Sequence, residues 1–381
     1  MRDAVIVEAV RTPVGKRNGG LAGVHPTNLS ADILNALVGR AGIDPVIIDD
    51  VMWGCVHQVA TQTYNVARNA IIAAGWPESV PGVTMDRQCG SSQQAVHAAA
   101  AAVISGQADI VVAGGVELMS TVTMGSSLLG EDPFGDRFAA RYDGATPNMG
   151  LGAESIAEKW NLSRTQLDEF ALASHEKAAI AQKDGLFDRE IFPIVTPDGL
   201  TVSADEGIRP GGNLEKLGSL KTPFKEGGRI TAASSSQISD GAAALLIMTS
   251  EKAKELGLKP IARIHTAVLA GADPIISLTA LIPATQKALA KSGMTIDDID
   301  VFEVSEAFAS VPLAWLADTG ADPAKLNVRG GAISIGHPLG ASGARLMTSL
   351  VNQMRDNNLR FGLQTMCEGG GLSNATILEL I

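Results

Sequence analysis

The sequence predicts an α/β protein assembled from two copies of one βα-rich unit with an insert between them. Two stretches of the chain repeat each other, and the helix and strand periodicities lapse over roughly residues 118–240. Composition adds a third observation. Apolar residues are 45% of the 381 but aromatics only 4%, so Ala, Val, Ile and Leu must fill a large interior closely. The 41 glycines then serve turns and tight contacts.

The first element is the apolar alternation in MRDAVIVEAV, which reads as a strand. No basic region followed by an apolar stretch precedes it, which predicts no signal peptide. The chain ends LELI, without a retention or peroxisomal tail, and no apolar run approaches the ~20 residues of a membrane span. Cys55, Cys89 and Cys367 form no CxxC pair, as expected of reduced thiols in a reducing compartment. The expectation is a soluble, cytoplasmic protein. A formal charge of −11 argues against nucleic acid as partner.

The repeat follows. ALVGRAGIDPVIIDDV at 36–51 and ALAKSGMTIDDIDV at 288–301 are each a helix end, a glycine stop and a turn running into a strand. Gly42 and Gly293 end the two helices in left-handed caps. Further along, Cys89 opens the alanine-rich helix of DRQCGSSQQAVHAAAAAV, and His337 opens that of SIGHPLGASGARLMTSLV. Each helix is followed by an apolar strand that closes on glycines, DIVVAGGVE at 109–117 and FGLQTMCEGGG from 361. Cys89 and His337 are thus expected at equivalent places, brought together by a pseudo-twofold axis. The units are 1–117, an insert 118–240 whose last strand returns to the first half, and 241–381. In the insert, LSRTQLDEFALASHEKAAIAQKDG is an amphipathic helix with Ser163 as N-cap and Gly185 as stop.

Cys89 at a helix start faces unpaired N–H groups and the positive dipole end, which favours thiolate, although a lone buried cysteine is commonly inert. Cys367 precedes three glycines whose N–H groups are available to an oxyanion. His337, at a strand-to-helix turn, is a candidate general base. The other histidines form no metal-binding spacing, so no metal is expected. Ser305, in SEAFAS, is either a helix N-cap or part of a polar cluster lining the same cleft. Cys55 is structural.

Taken together, Cys89 at a helix start, E-A-F-A, G-H-P and C-x-G-G-G, with RTPVGK and SQISDGAAA, resemble the thiolase family in order and spacing from end to end. That resemblance implies a thiolase-like duplicated five-layer αβαβα fold with an inserted loop domain that binds coenzyme A. It implies that Cys89 carries the acyl group, His337 activates it, and Cys367 moves the α-carbon proton. The N–H groups of Cys89 and Gly369 would form an oxyanion hole. Arg209, Ser236, Met149, Ala232 and Phe308 match positions that contact coenzyme A. The implied partners are acyl-CoA and coenzyme A as co-substrate, with no permanently bound cofactor, and a homodimer or homotetramer. Two residues depart from the family pattern: Ser305 stands where Asn is usual, and Asn148 where some relatives have His. DRQCGSSQQA, SSSQISDGAAA and MCEGGG look most like bacterial thiolases of ring and steroid breakdown. The rivals are a ketoacyl-synthase-type condensing enzyme, an acyl-CoA-binding protein with weak turnover, and a redox-sensing thiol protein.

Overall fold

The computed structural model describes residues 2–381. The first unit runs β1 (Val5–Arg11), β2 (Gly15–Lys16), α1 (Pro26–Ala41), β3 (Asp50–Gly54), α2 (Val66–Ala73), β4 (Gly82–Met85), α3 (Ser91–Ser105) and β5 (Ile110–Leu118). Then come α4 (Gly135–Arg141), α5 (Met149–Lys159), α6 (Arg164–Lys183), β6 (Ile194–Val195), β7 (Thr201–Val202) and α7 (Leu214–Gly218). The chain continues through β8 (Ser239–Met248), α8 (Ser250–Glu255), β9 (Ala262–Gly271), α9 (Leu281–Ser292), β10 (Val301–Val304) and α10 (Ser310–Thr319). It closes with α11 (Leu339–Asn357), β11 (Phe361–Glu368) and β12 (Leu372–Leu380).

The strand order β10-β11-β12-β9-β1-β8-β5-β3-β4 contains the duplication. In one half β3 is parallel to β5, and β5, β8 and β1 follow antiparallel. The other half repeats this with β10, β11, β12 and β9. A short β1–β9 pairing, Val5 to Arg263 and Ile6 to Ala262, joins the two. The strand at Ser239–Met248 runs through the 240/241 junction and lies between β1 and β5.

Side-chain alternation gives each sheet two apolar faces, which is why five layers stack. Val112 and Val116 of β5 face α1 and α2, while Val111 and Ala113 face the central α3 and α11. Phe302 and Ile377 of the second half face α9 and α10. Alanines make α3 thin enough to sit between sheets: Ala95 and Ala99 are wholly buried there beside Ala344 and Met347 of α11. Gly42 and Gly293 close α1 and α9 with φ of 68° and 72°, as their shared position in the repeat predicts. Ser163 caps α6 in a capping box with Gln166. The insert packs onto the halves, since Ala153 and Ile156 of α5 join the core of the second. No described helix is long and apolar enough to cross a membrane.

Candidate active site

Two helix starts build the site. Cys89 and His337 each stand one residue before an N-cap, Gly90 for α3 and Pro338 for α11. The equivalence is not complete. Both helices close on a left-handed residue, Gly106 and Asn358, yet α3 has 15 residues and α11 has 19. The four additional residues of α11 lengthen it by about 6 Å, roughly one turn.

The turn carrying Cys89 is tightly held. Gln88 adopts φ 47°, an unfavourable region for a non-glycine residue. Its N–H donates to Asp86 Oδ1 at 2.6 Å, and its carbonyl accepts from the Ser91 hydroxyl at 2.6 Å. Arg87 N–H in turn donates to Ser91 Oγ at 2.9 Å. Cys89 is left half-buried against Val56, Met119 and Leu339, and the N–H groups of Gly369 and of its own backbone favour the anion on its sulfur. Burial nevertheless pushes the thiol well up, with the neighbouring Cys367 and Glu368 adding to it. This opposes the helix end, which favours thiolate. A helix terminus is worth only about 0.3–1 kcal/mol, less than desolvation costs the anion.

His337 is buried. Its N–H donates to Ser239 Oγ at 3.0 Å, and its Nδ1 lies 2.6 Å from Ser342 Oγ. The Ser342 hydroxyl already donates to Pro338 O at 2.8 Å, so it must accept from Nδ1–H. That fixes the tautomer and leaves Nε2 as a bare lone pair, a buried atom without a partner. Burial and Arg345 push His337 down to about 4, so the ring is neutral. Glu117 braces the helix start, accepting N–H bonds from Gly340 and Val56 at 2.9 Å each.

Cys367, at the end of β11, points its thiol at Ser305 Oγ, 3.5 Å away, and burial pushes it up to about 11. Ser305 is buried just beyond β10 and does not cap a helix, because α10 begins only at Ser310. Of the two sequence readings, the helix N-cap is excluded. Cys89, Gly369, Cys367 and Ser305 therefore form one continuous set. His337 joins it through Leu339, which shares an apolar cluster with Cys89.

The coenzyme A candidates are placed nearby. Arg209 and Ala232 line a groove of about 350 Å³ together with His175, Gly212, Gln237 and Ile333. Ser236 N–H donates to Ala307 O at 2.9 Å, and Ser235 bridges to Phe308, tying the groove to the strand-end segment of Ser305. Phe308 stacks edge-on against Phe224 with centroids 5.9 Å apart. Met149 opens α5 and touches Ser277 through its sulfur at 3.7 Å. Asn148 caps that helix, accepting from Leu151 N–H at 3.0 Å. Sequence reasoning missed Ser342, Ser239, Glu117 and His175. Among the described residues no group of three or more His, Cys, Asp or Glu could hold a metal.

A duplicated α/β fold with two neighbouring thiols, and a neutral histidine at the start of a second central helix, suits an enzyme that passes an acyl group through sulfur. Residues 4–251 match the thiolase N-terminal domain and 258–380 the thiolase C-terminal domain. Over its full length the chain is 49% identical to the steroid 3-ketoacyl-CoA thiolase FadA6 of Mycobacterium tuberculosis, covering 94% of that protein. It is 45% identical to a 3-ketoacyl-CoA thiolase of Pseudoalteromonas translucida, covering 100% of both. The acetyl-CoA acetyltransferase structure from Bacillus anthracis superposes with a TM-score of 0.92 at 36% identity, covering 100% of this chain and 99% of that one. The chain belongs to the thiolase family and is an acyltransferase.

Proposed function

We propose that this enzyme cleaves a 3-oxoacyl-CoA with coenzyme A, through an acyl group carried on Cys89. His337 Nε2 takes the Cys89 proton as the sulfur attacks the C3 carbonyl. The C2–C3 bond breaks, its electron pair stays on C2 as an enolate, and Cys367 supplies the proton that releases acetyl-CoA or propionyl-CoA. Coenzyme A then gives its thiol proton to the Cys367 thiolate and attacks the thioester, and His337 returns its proton to the departing Cys89 sulfur, leaving a shortened acyl-CoA and both thiols restored. The N–H groups of Cys89 and Gly369 hold the oxyanion. The steps reverse as a Claisen condensation.

The observation that carries this reading is the fixed His337 tautomer, whose Nε2 is a bare buried lone pair at the start of the helix whose Leu339 packs with Cys89. A neutral base suits removal of a proton from a thiol, and a second thiol sits separately against Ser305. Arg209 and the groove around it support coenzyme A binding by the insert, as residues 118–240 with their return strand. The FadA6 relative and the short Ser305 side chain support a bulky or branched acyl group. β4, an edge strand with Val83 40% exposed, suits pairing between copies in a homodimer or homotetramer. The test is intact-protein mass spectrometry after mixing with a 3-oxoacyl-CoA. Wild type gains an acyl adduct and Cys89→Ala gains none. An adduct persisting on the variant overturns the assignment.

A further inference from the structure

Alternation along β11 turns Glu368 away from the Cys367 thiol, toward the underside of the turn that carries Cys89. The carboxyl there is fully buried. A Cβ on Gly90 would collide with both Glu368 Oε1 and Asn374 Oδ1, so these two oxygens crowd one point beneath the nucleophile. Glu368 Oε1 accepts the Asn374 backbone N–H at 2.9 Å. Glu368 Oε2 and Asn374 Oδ1 are both buried without a partner. The Asn374 amide is oriented by its own NH₂ group, which faces Gln94 Oε1 at 3.2 Å and His97 Nδ1 at 3.3 Å. A carboxylate and an amide oxygen are both acceptors, so this carboxyl, with Oε1 crowding Asn374 Oδ1 and Oε2 unpartnered, satisfies the amide oxygen only as the protonated acid.

We propose that Glu368 is a positioning residue for acyl transfer: as a carboxylic acid it donates its proton to Asn374 Oδ1, and in that neutral form it keeps negative charge away from the Cys89 sulfur. The proposal rests on Cys89 being the acylated thiol. The groups facing the carboxyl are Arg87 and Asp86 from the preceding turn, the thiols Cys89 and Cys367, and His97 of α3 through Asn374. Burial beside Arg87 and Lys291 pushes His97 down to about 3, so it brings no charge. Arg87 favours the carboxylate, Asp86 opposes it, and burial outweighs both, raising Glu368 to about 8. The sign follows. Below that pH the acid is neutral. Above it a carboxylate stands beside Cys89 and raises the thiol further, against both thiolate and oxyanion.

Two rates read this out: acyl-enzyme formation with a 3-oxoacyl-CoA, and alkylation of Cys89 by iodoacetamide, from about pH 6 to about pH 10. In the wild type, acylation falls off above about pH 8. Glu368→Gln reproduces the neutral acid, so its rates at neutral pH stay within ~3-fold, the fall disappears, and alkylation at about pH 9 is ~10-fold faster. Asn374→Ala removes the acceptor that holds the proton and shifts the fall to lower pH. A purely structural role would slow all rates alike and move neither profile. Unchanged profiles in a folded Glu368→Gln, or in Asn374→Ala should the first variant not fold, overturn the proposal. Alkylation needs no acyl-CoA, so a shifted alkylation profile in a chain that never acylates would instead count against the function proposed above.

Discussion

Ser305 is buried and presents a short hydroxyl to Cys367, at a position where the family pattern has a carboxamide. The thiol donates to that hydroxyl, so Ser305→Ala should slow the carbon–carbon step clearly more than acylation, measured by single-turnover formation of the adduct and of acetyl-CoA. Ser305→Asn should change kcat/KM by no more than ~10-fold, about 1.4 kcal/mol. A gain of ~100-fold on every 3-oxoacyl-CoA tested would make the natural chain an impaired thiolase and favour the acyl-CoA-binding reading. His337 gives a pH test. Because burial holds it down to about 4, the base stays unprotonated in weak acid. Acylation should therefore hold to about pH 5 and lose about tenfold per unit below the histidine value. An acid limb near the ordinary histidine value of about 6.5 contradicts a desolvated base. The residues themselves were legible in the sequence, since Cys89, His337 and Cys367 each stand at a strand or helix end. The protonation of Cys89 was not. The sequence shows the helix dipole at that position but not the burial that outweighs it.

The two central helices meet through backbone-close contacts, which makes their glycines informative. A Cβ on Gly343 of α11 would meet the backbone nitrogen of Gln93, with Gln93 Cβ at 2.7 Å and Cα at 3.0 Å. None of these is the free end of a side chain. Ala344 N–H also donates to Ser92 Oγ across the same seam at 2.9 Å. Gly343→Ala should cost about 1–3 kcal/mol in urea unfolding and lower the acylation rate, because it drives apart the two helix starts that carry Cys89 and His337. Gly39→Ala is the control: it lies on α1 with nothing near its Cβ position, and should gain up to ~1 kcal/mol. Equal effects at the two sites would remove the packing argument. Element identity was legible from Gly42 and Gly293, which end matching helices. The additional turn of α11 was not, because its start is marked only by Pro338 and by contacts far away in sequence.

At the scale of the whole molecule, Arg11 ties the first strand to the insert. Its guanidinium is wholly buried over the Phe187 ring, 5.1 Å from the centroid. Nε donates to Glu190 at 2.7 Å, and the two terminal nitrogens donate to Asp205 at 2.7 and 3.0 Å. These carboxylates lie 179 and 194 residues further along the chain. The sequence shows RTPVGK as a motif but not that its arginine is enclosed, since nothing local marks the partners. The two halves were readable because they repeat, whereas the docking of the insert depends on contacts that repeat nowhere. Burial makes this network costly to break rather than a large net source of stability. Arg11→Met keeps the volume but strands two carboxylates, at about 3–5 kcal/mol. Asp205 also accepts the Val14 N–H at 2.8 Å and is close in sequence to Arg209 at the groove. The loosened segment should therefore raise KM for coenzyme A before it lowers kcat, and open 196–212 to limited proteolysis. Wild-type urea stability in Arg11→Met would show that the insert is held by its apolar contacts alone.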